Sequence, residues 1–230
     1  MIPLRDTVPA RRFPVVNTAI IALNVLVFLI QAALPEQQLE QVIMTAGLIP
    51  SEFAPSNPGS WFPLLTSMFL HGGWWHLIAN MLSLYIFGDN VEDRLGHFRY
   101  TLFYLFSGFA ASAAHLVAYR ASGVPTIGAS GAIAGVLGAY LVLYPRARVI
   151  TLLPVFYFVR LVEIPAIFYL GFWFVSQLFN GLFALAAMDV LAGGGVAWWA
   201  HIGGFIFGLA IVKLICPKPC RTYPDEYRPW

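Results

Sequence analysis

Residues 126–140 read TIGASGAIAGVLGAY. The stretch places glycines at 128, 131, 135 and 138 and a lone serine, Ser130, between the first two, in a chain whose other apolar runs are built from Leu, Phe, Val and Ile. Small residues in such a run let a neighbouring membrane helix approach closely. Glycines beside a serine can equally clear space around a nucleophile. Which reading holds depends on whether the run lies in a membrane, and on what shares its depth.

Composition answers the first question. Of 230 residues, 59% are hydrophobic and only 10% charged, and mean hydropathy is +0.74. Apolar runs of about 20 residues, enough to cross a hydrocarbon core roughly 30 Å thick, recur along the chain. This composition predicts an all-α polytopic membrane protein, a single membrane domain over residues 1–230. The net charge of +2, without a basic patch and interleaved aromatics, excludes a nucleic-acid partner. Arg5, Arg11 and Arg12 precede the first run and no small-residue cleavage site follows it, so it reads as a retained span and not a signal peptide. Cys216 and Cys220 stand four apart with no histidine nearby, a poor zinc site, and take no role in this reading. Neither metal nor cofactor is expected.

The expected spans are 15–34, 74–88, 98–119, 128–144, 164–183 and 197–215, a six-transmembrane-helix bundle with both termini on one side. Charge supports the count independently. Lys and Arg collect on the cytoplasmic side, and twelve of the thirteen fall on the side of the termini under this topology, Arg120 being the exception. The distribution suits a multi-pass protein of a bacterial inner membrane, termini cytoplasmic. Loop one, roughly 35–73, has acids and many apolar residues but no Lys or Arg, and should lie in the headgroup region or against the bundle. The stretch VITLLPVFYFVRLVEIP, 149–165, is apolar but interrupted by Pro154, Arg160, Glu163 and Pro165; it reads as an interfacial connection, with a partial span as the alternative.

No Asp or Glu falls within the expected hydrocarbon depth; the ionisable residues there are His76, His115 and His201. A polar side chain in a membrane interior is costly unless paired and is a functional candidate by default. His115, near the end of span three, reads as structural, and His71, at the end of loop one, as interfacial. Asn80 lies one helical turn from His76 on the same face. At about 1.5 Å per residue, Ser130 lies roughly 22 Å from Pro145, and His201 roughly 24 Å from Pro217, the stops of their two helices. Both helices run the same way, so serine and histidine share a depth. The pairs Gly131/Gly135 and Gly204/Gly208 would bring the two helices together. Packing therefore sets the distance that chemistry needs, and the two readings of the opening stretch merge.

A serine hydroxyl is a weak nucleophile until a neighbouring base takes its proton. Without a buried carboxylate, Ser130 and His201 would form a dyad and not a triad. Asn80, His76 and the Ser130 backbone N–H could face a developing oxyanion. TIGA, just before Ser130, should dip below the surface as non-helical backbone, tolerated there only when buried in protein or lining water.

These residues resemble the rhomboid family of intramembrane serine proteases over most of the chain. The motif residues are GASG at 128–131, HLIAN at 76–80 and AHIGGFIFG at 200–208. Ala132 stands where the second glycine of a G-x-S-x-G elbow would be, so an α/β-hydrolase is not indicated. The resemblance implies Ser130 as nucleophile, His201 as general base and then acid, Asn80, His76 and the Ser130 amide as oxyanion hole, and Gly128 in the same turn. It implies transmembrane protein substrates met in the lipid bilayer. VEDRLGHFRY, 91–100, resembles a structural element of the family after span two. Two departures stand out: loop one lacks the Trp-Arg pair of many relatives, and Ala134 occupies the position of a tyrosine that in some stacks on the histidine.

The expected function is cleavage of single-span membrane proteins within or beside their transmembrane segment. The alternative is a non-catalytic rhomboid-like protein that binds membrane clients; such relatives usually lack the serine or the histidine. A transporter would show paired charges in the bundle or an internal repeat, and neither is evident. Span five, rich in bulky aromatics, lacks the small-residue packing of spans four and six and should separate more easily, with Gly193–Gly195 freeing a cap above the site.

Overall fold

Backbone polar groups in hydrocarbon must find partners within the segment, so apolar runs become helices. The computed structural model, which describes residues 1–155, 158–186, 195–217 and 220, is mostly helical. Strand β1 (Ile2–Asp6) precedes α1 (Val15–Ala33), α2 (Glu36–Ala46), α3 (Phe62–Thr66), α4 (Trp74–Ser83), α5 (Asp89–Leu95), α6 (His97–Ala118) and α7 (Ser130–Leu143). Strands β2 (Arg148–Val155) and β3 (Phe158–Pro165) follow, then α8 (Ala166–Ala186) and α9 (Trp198–Ile215).

Among the described residues four helices, α1, α6, α8 and α9, are long and apolar enough to cross a membrane; α7 is apolar but shorter. The count of six crossings is thus not reached by length alone. The second expected span does not stop at 88: α4 continues through a π turn, Leu84–Gly88, into α5. A π turn leaves a carbonyl without its usual partner, and Asn17 of α1 donates to Leu84 O at 2.9 Å. Glu92 of α5 in turn accepts the backbone N–H groups of Val16 (2.9 Å) and Asn17 (2.7 Å), capping the exposed donors at the start of α1. That is the structural work of the 91–100 element.

Helix α7 is buried on nearly every face, from Gly131 to Tyr140 without a break. A helix apolar all round belongs at the centre of a bundle. Its partners are α6 and α9; Tyr100, Tyr104, Tyr140 and Tyr144 are fully buried around it. Helices α1 and α8 are peripheral and expose Leu26, Leu29 and Ile30, and Phe168, Phe172, Phe179 and Phe183 respectively.

Two features depart from the sequence expectations. The stretch expected as an interfacial connection is an antiparallel hairpin of β2 and β3, and β1 adds to it in the order β1-β2-β3. Residues 148–165 are rich in β-branched side chains, which suit strands, and Arg148 sits 3.7 Å from Glu163 across the hairpin. The two cysteines, given no role from sequence, are joined in a disulfide, Cys216–Cys220. Most of the loop-five cap, Gly193 included, lies outside the described residues.

Candidate functional site

The glycine seam brings the site together. A Cβ at Gly204 would collide with the carbonyl of Gly131, and one at Gly208 with the carbonyl of Gly135. Backbone meets backbone there, and no side chain can move to make room. On the other flank a Cβ at Gly131 would come within 2.6 Å of the Ala111 methyl of α6. Helices α7 and α9 therefore run in direct contact, as the small-residue spacing predicts.

At the end of this seam remote from the sheet, Ser130 Oγ lies 2.8 Å from His201 Nε2. His201 is buried and Ser130 partly exposed. The residues before Ser130 are non-helical, as expected of TIGA, and Thr126 and Gly128 among them find backbone partners. Thr126 and Leu48 exchange hydrogen bonds of 2.8 and 3.0 Å, and Gly128 N donates to Ser67 O at 2.8 Å. Loop one thus supplies the partners that hydrocarbon could not. It is held to the bundle by these bonds, by Ser51 N to Ser122 O at 3.0 Å, and by burial of Ile49, Leu64, Met68 and Leu70. The missing Trp-Arg pair leaves no gap in its anchoring.

Gly128 has φ +129°, a conformation L side chains rarely adopt, and a Cβ there would lie 2.8 Å from the His76 ring. His76 therefore flanks the turn that carries Ser130. Asn80 is buried one turn below, its Nδ2 3.0 Å from His71 Nε2. His71, expected at the interface, is packed within the protein beside these two residues. It is 2% exposed, its ring centroid is 5.1 Å from that of His76, and its backbone is clasped by Gln31 of α1. Gln31 accepts from His71 N at 3.0 Å and donates to His71 O at 3.3 Å. His115 has Thr126 Oγ1 2.8 Å from its Nε2, in keeping with a structural role.

The residue that sequence reasoning missed altogether is Gln177 of α8, whose Oε1 is 2.8 Å from His201 Nδ1. The Trp173 ring, one turn earlier, lies tilted against His201 at 5.8 Å between centroids, and Trp198 meets it edge-on at 6.3 Å. Tryptophans hold the imidazole where a tyrosine at position 134 does not. Behind Ser130 a cavity of about 30 Å³ is lined by Ser67, Ser112, His115 and Thr126 among others. A polar space of that size can hold water. Among the described residues no group of three or more His, Cys, Asp or Glu could hold a metal ion.

Residues 58–218 match the family model described as "Rhomboid domain". The chain is 33% identical over 203 residues to "Presenilin-associated rhomboid-like protein, mitochondrial" of Mus musculus, covering 84% of this chain and 46% of that protein. It is 28% identical over 185 residues to "Rhomboid-like protein 11, chloroplastic" of Arabidopsis thaliana, covering 78% and 61%. To "Rhomboid protein 1, mitochondrial" of Saccharomyces cerevisiae it is 34% identical over 150 residues, covering 64% and 39%. The chain thus spans about half the length of the curated relatives it matches. Their names place these relatives in mitochondria and chloroplasts and give no support to the bacterial inner membrane expected from charge; what stands is a membrane protein with several apolar helices.

Proposed function

The chain belongs to the rhomboid family, and from that premise we propose that it is an intramembrane serine endopeptidase cleaving single-span membrane proteins within or next to their transmembrane segment. The observation that carries the proposal is the 2.8 Å approach of Ser130 Oγ to His201 Nε2 in a buried, glycine-sealed seam. The hydroxyl donates to the imidazole, which takes its proton as Oγ attacks the scissile carbonyl. The same imidazole then protonates the leaving amine, and water from the cavity behind Ser130 reverses the sequence to release the acyl group. Asn80, His76 and the Ser130 backbone N–H face the developing oxyanion, with His71 holding the Asn80 amide. Fixed donors in a site shielded from bulk water are worth far more than they would be in water.

Six crossings, with both termini on the side that carries twelve of the thirteen Lys and Arg residues, form the topology that goes with this reading. Substrates enter from the lipid bilayer, and neither cofactor nor metal takes part. The test is incubation of the purified protein in liposomes with a reporter bearing one transmembrane helix. The wild type should cut the reporter and Ser130→Ala leave it intact. An intact reporter with both, or equal cleavage by both, would overturn the proposal in favour of a client-binding role or a different nucleophile.

A further inference from the structure

We propose that Gln177 is a positioning residue for the reaction: it fixes the tautomer and the ring orientation of His201, so that the reactive pair on α7 and α9 is completed by a neutral third residue on α8. This rests on the serine-protease reading above.

The geometry sets the direction of each hydrogen bond. Gln177 is 5% exposed, and its amide is held at both ends. Its Nε2 donates to Trp173 O at 3.1 Å and to Ser176 Oγ at 2.9 Å, while the Ser176 hydroxyl itself donates to Trp173 O at 2.5 Å. Turning the amide over would set Oε1 against the Trp173 carbonyl, acceptor against acceptor. The oxygen must therefore face His201, and Nδ1, 2.8 Å away, must carry the proton. A neutral imidazole protonated at Nδ1 has a bare Nε2, the form that can accept the Ser130 proton. The other tautomer would point a lone pair at the Gln177 oxygen and an N–H at Ser130, and could not act as base.

An amide suits this place better than a carboxylate. A buried carboxylate carries a large desolvation penalty, greatest in a membrane. A neutral acceptor selects the tautomer without that cost, at the expense of weaker support for the imidazolium formed during attack. Trp173, on the same face of α8 one turn from Gln177, adds the ring contact. Two contacts to the imidazole thus come from one peripheral helix, and the competence of the base depends on where α8 lies.

The test compares Gln177→Met, which keeps the volume but removes the acceptor, with Gln177→Glu, which keeps an acceptor. Both are read by steady-state kinetics on the transmembrane reporter and by ¹⁵N NMR of histidine-labelled protein. Removing the tautomer-fixing acceptor from a catalytic imidazole has cost about 10⁴-fold in a charged triad, and the neutral amide here should account for roughly 10- to 100-fold. Gln177→Met should therefore lower kcat by that factor, leave KM within about twofold and lose the Nδ1–H signature of His201. Gln177→Glu should restore most of kcat. Wild-type kcat in Gln177→Met, or an unchanged His201 tautomer, would overturn the assignment. So would an equal loss in both variants, which would make Gln177 a packing residue. The NMR readout needs no activity and still tests Gln177 if wild-type protein fails to cut; an intact reporter with wild type overturns the protease reading instead. Should Gln177→Met not fold, Gln177→Leu takes its place, removing the same acceptor, and an unchanged His201 tautomer there counts equally against the proposal.

Discussion

Helices α7 and α9 meet backbone to backbone along a glycine seam, whereas α8 leans on the same core with one tryptophan, phenylalanines and one glutamine. The seam has no side chains that could adjust, so the separation of Ser130 and His201 is set by the chain itself. Helix α8 turns Phe168, Phe172, Phe179 and Phe183 outward, and touches the site through Trp173 and Gln177. The contrast separates two tasks. Distance between the proposed nucleophile and base is built into the rigid pair; orientation of the proposed base is supplied by a peripheral helix.

The largest effect should come from the pair on the seam. Ser130→Ala and His201→Ala each remove about 10⁴-fold or more of turnover, and the double variant is no worse than either, because residues acting as one unit are non-additive. Reporter cleavage by the three proteins checks this, and an additive double loss would break the unit apart. Next comes the oxyanion donor. Asn80→Ala should lower kcat by about 100- to 1,000-fold with little change in KM; a loss carried by KM alone would reassign Asn80 to substrate binding.

Stability sharpens the comparison between the two regions. Gly208→Val forces a side chain against the Gly135 backbone and should cost about 3 kcal/mol, the upper end of ordinary overpacking. Phe179→Ala, on the outward face of α8, should stay within about 0.5 kcal/mol, as surface changes do. Thermal unfolding in detergent compares them, and equal losses would abolish the distinction drawn here.

The smallest effect lies at the opposite end of the bundle. Burial pushes the Asp6 carboxyl up to about 7 despite its hydrogen bond from Tyr140, and Asn90 Nδ2 donates to it at 3.0 Å. The folded state then holds a proton that the unfolded chain releases near pH 4. Its contribution is full below that pH and is lost as pH rises toward 7. The thermal midpoint should therefore drop between pH 4 and 7, and Asp6→Asn should flatten the slope; a parallel slope in Asp6→Asn would remove Asp6 from the account.

Much of the site was legible in the sequence because its signals are local. Helical rise and two prolines put Ser130 and His201 at one depth, and the glycine spacing foretold the seam. The β1–β2 pairing was not legible: Ile2–Asp6 is a short strand whose partner lies more than 140 residues away. The clasp on the His71 backbone was not legible either, because it comes from Gln31, forty residues earlier. Gln177 carries a weaker signal than an ionisable residue, because an uncharged amide in an apolar run can satisfy itself on the backbone of its own helix. A lone glutamine within IFYLGFWFVSQLF carries the same desolvation cost in kind, and the same question of who satisfies it.

The central claim is that His201 activates Ser130. A fluorophosphonate reacts with a serine hydroxyl that a base has made nucleophilic, so peptide mass spectrometry of the labelled protein tests the claim without needing a substrate. The account predicts an adduct on Ser130 in the wild type and none in His201→Ala. No adduct on Ser130 in folded wild-type protein, or an equal one in His201→Ala, would contradict it.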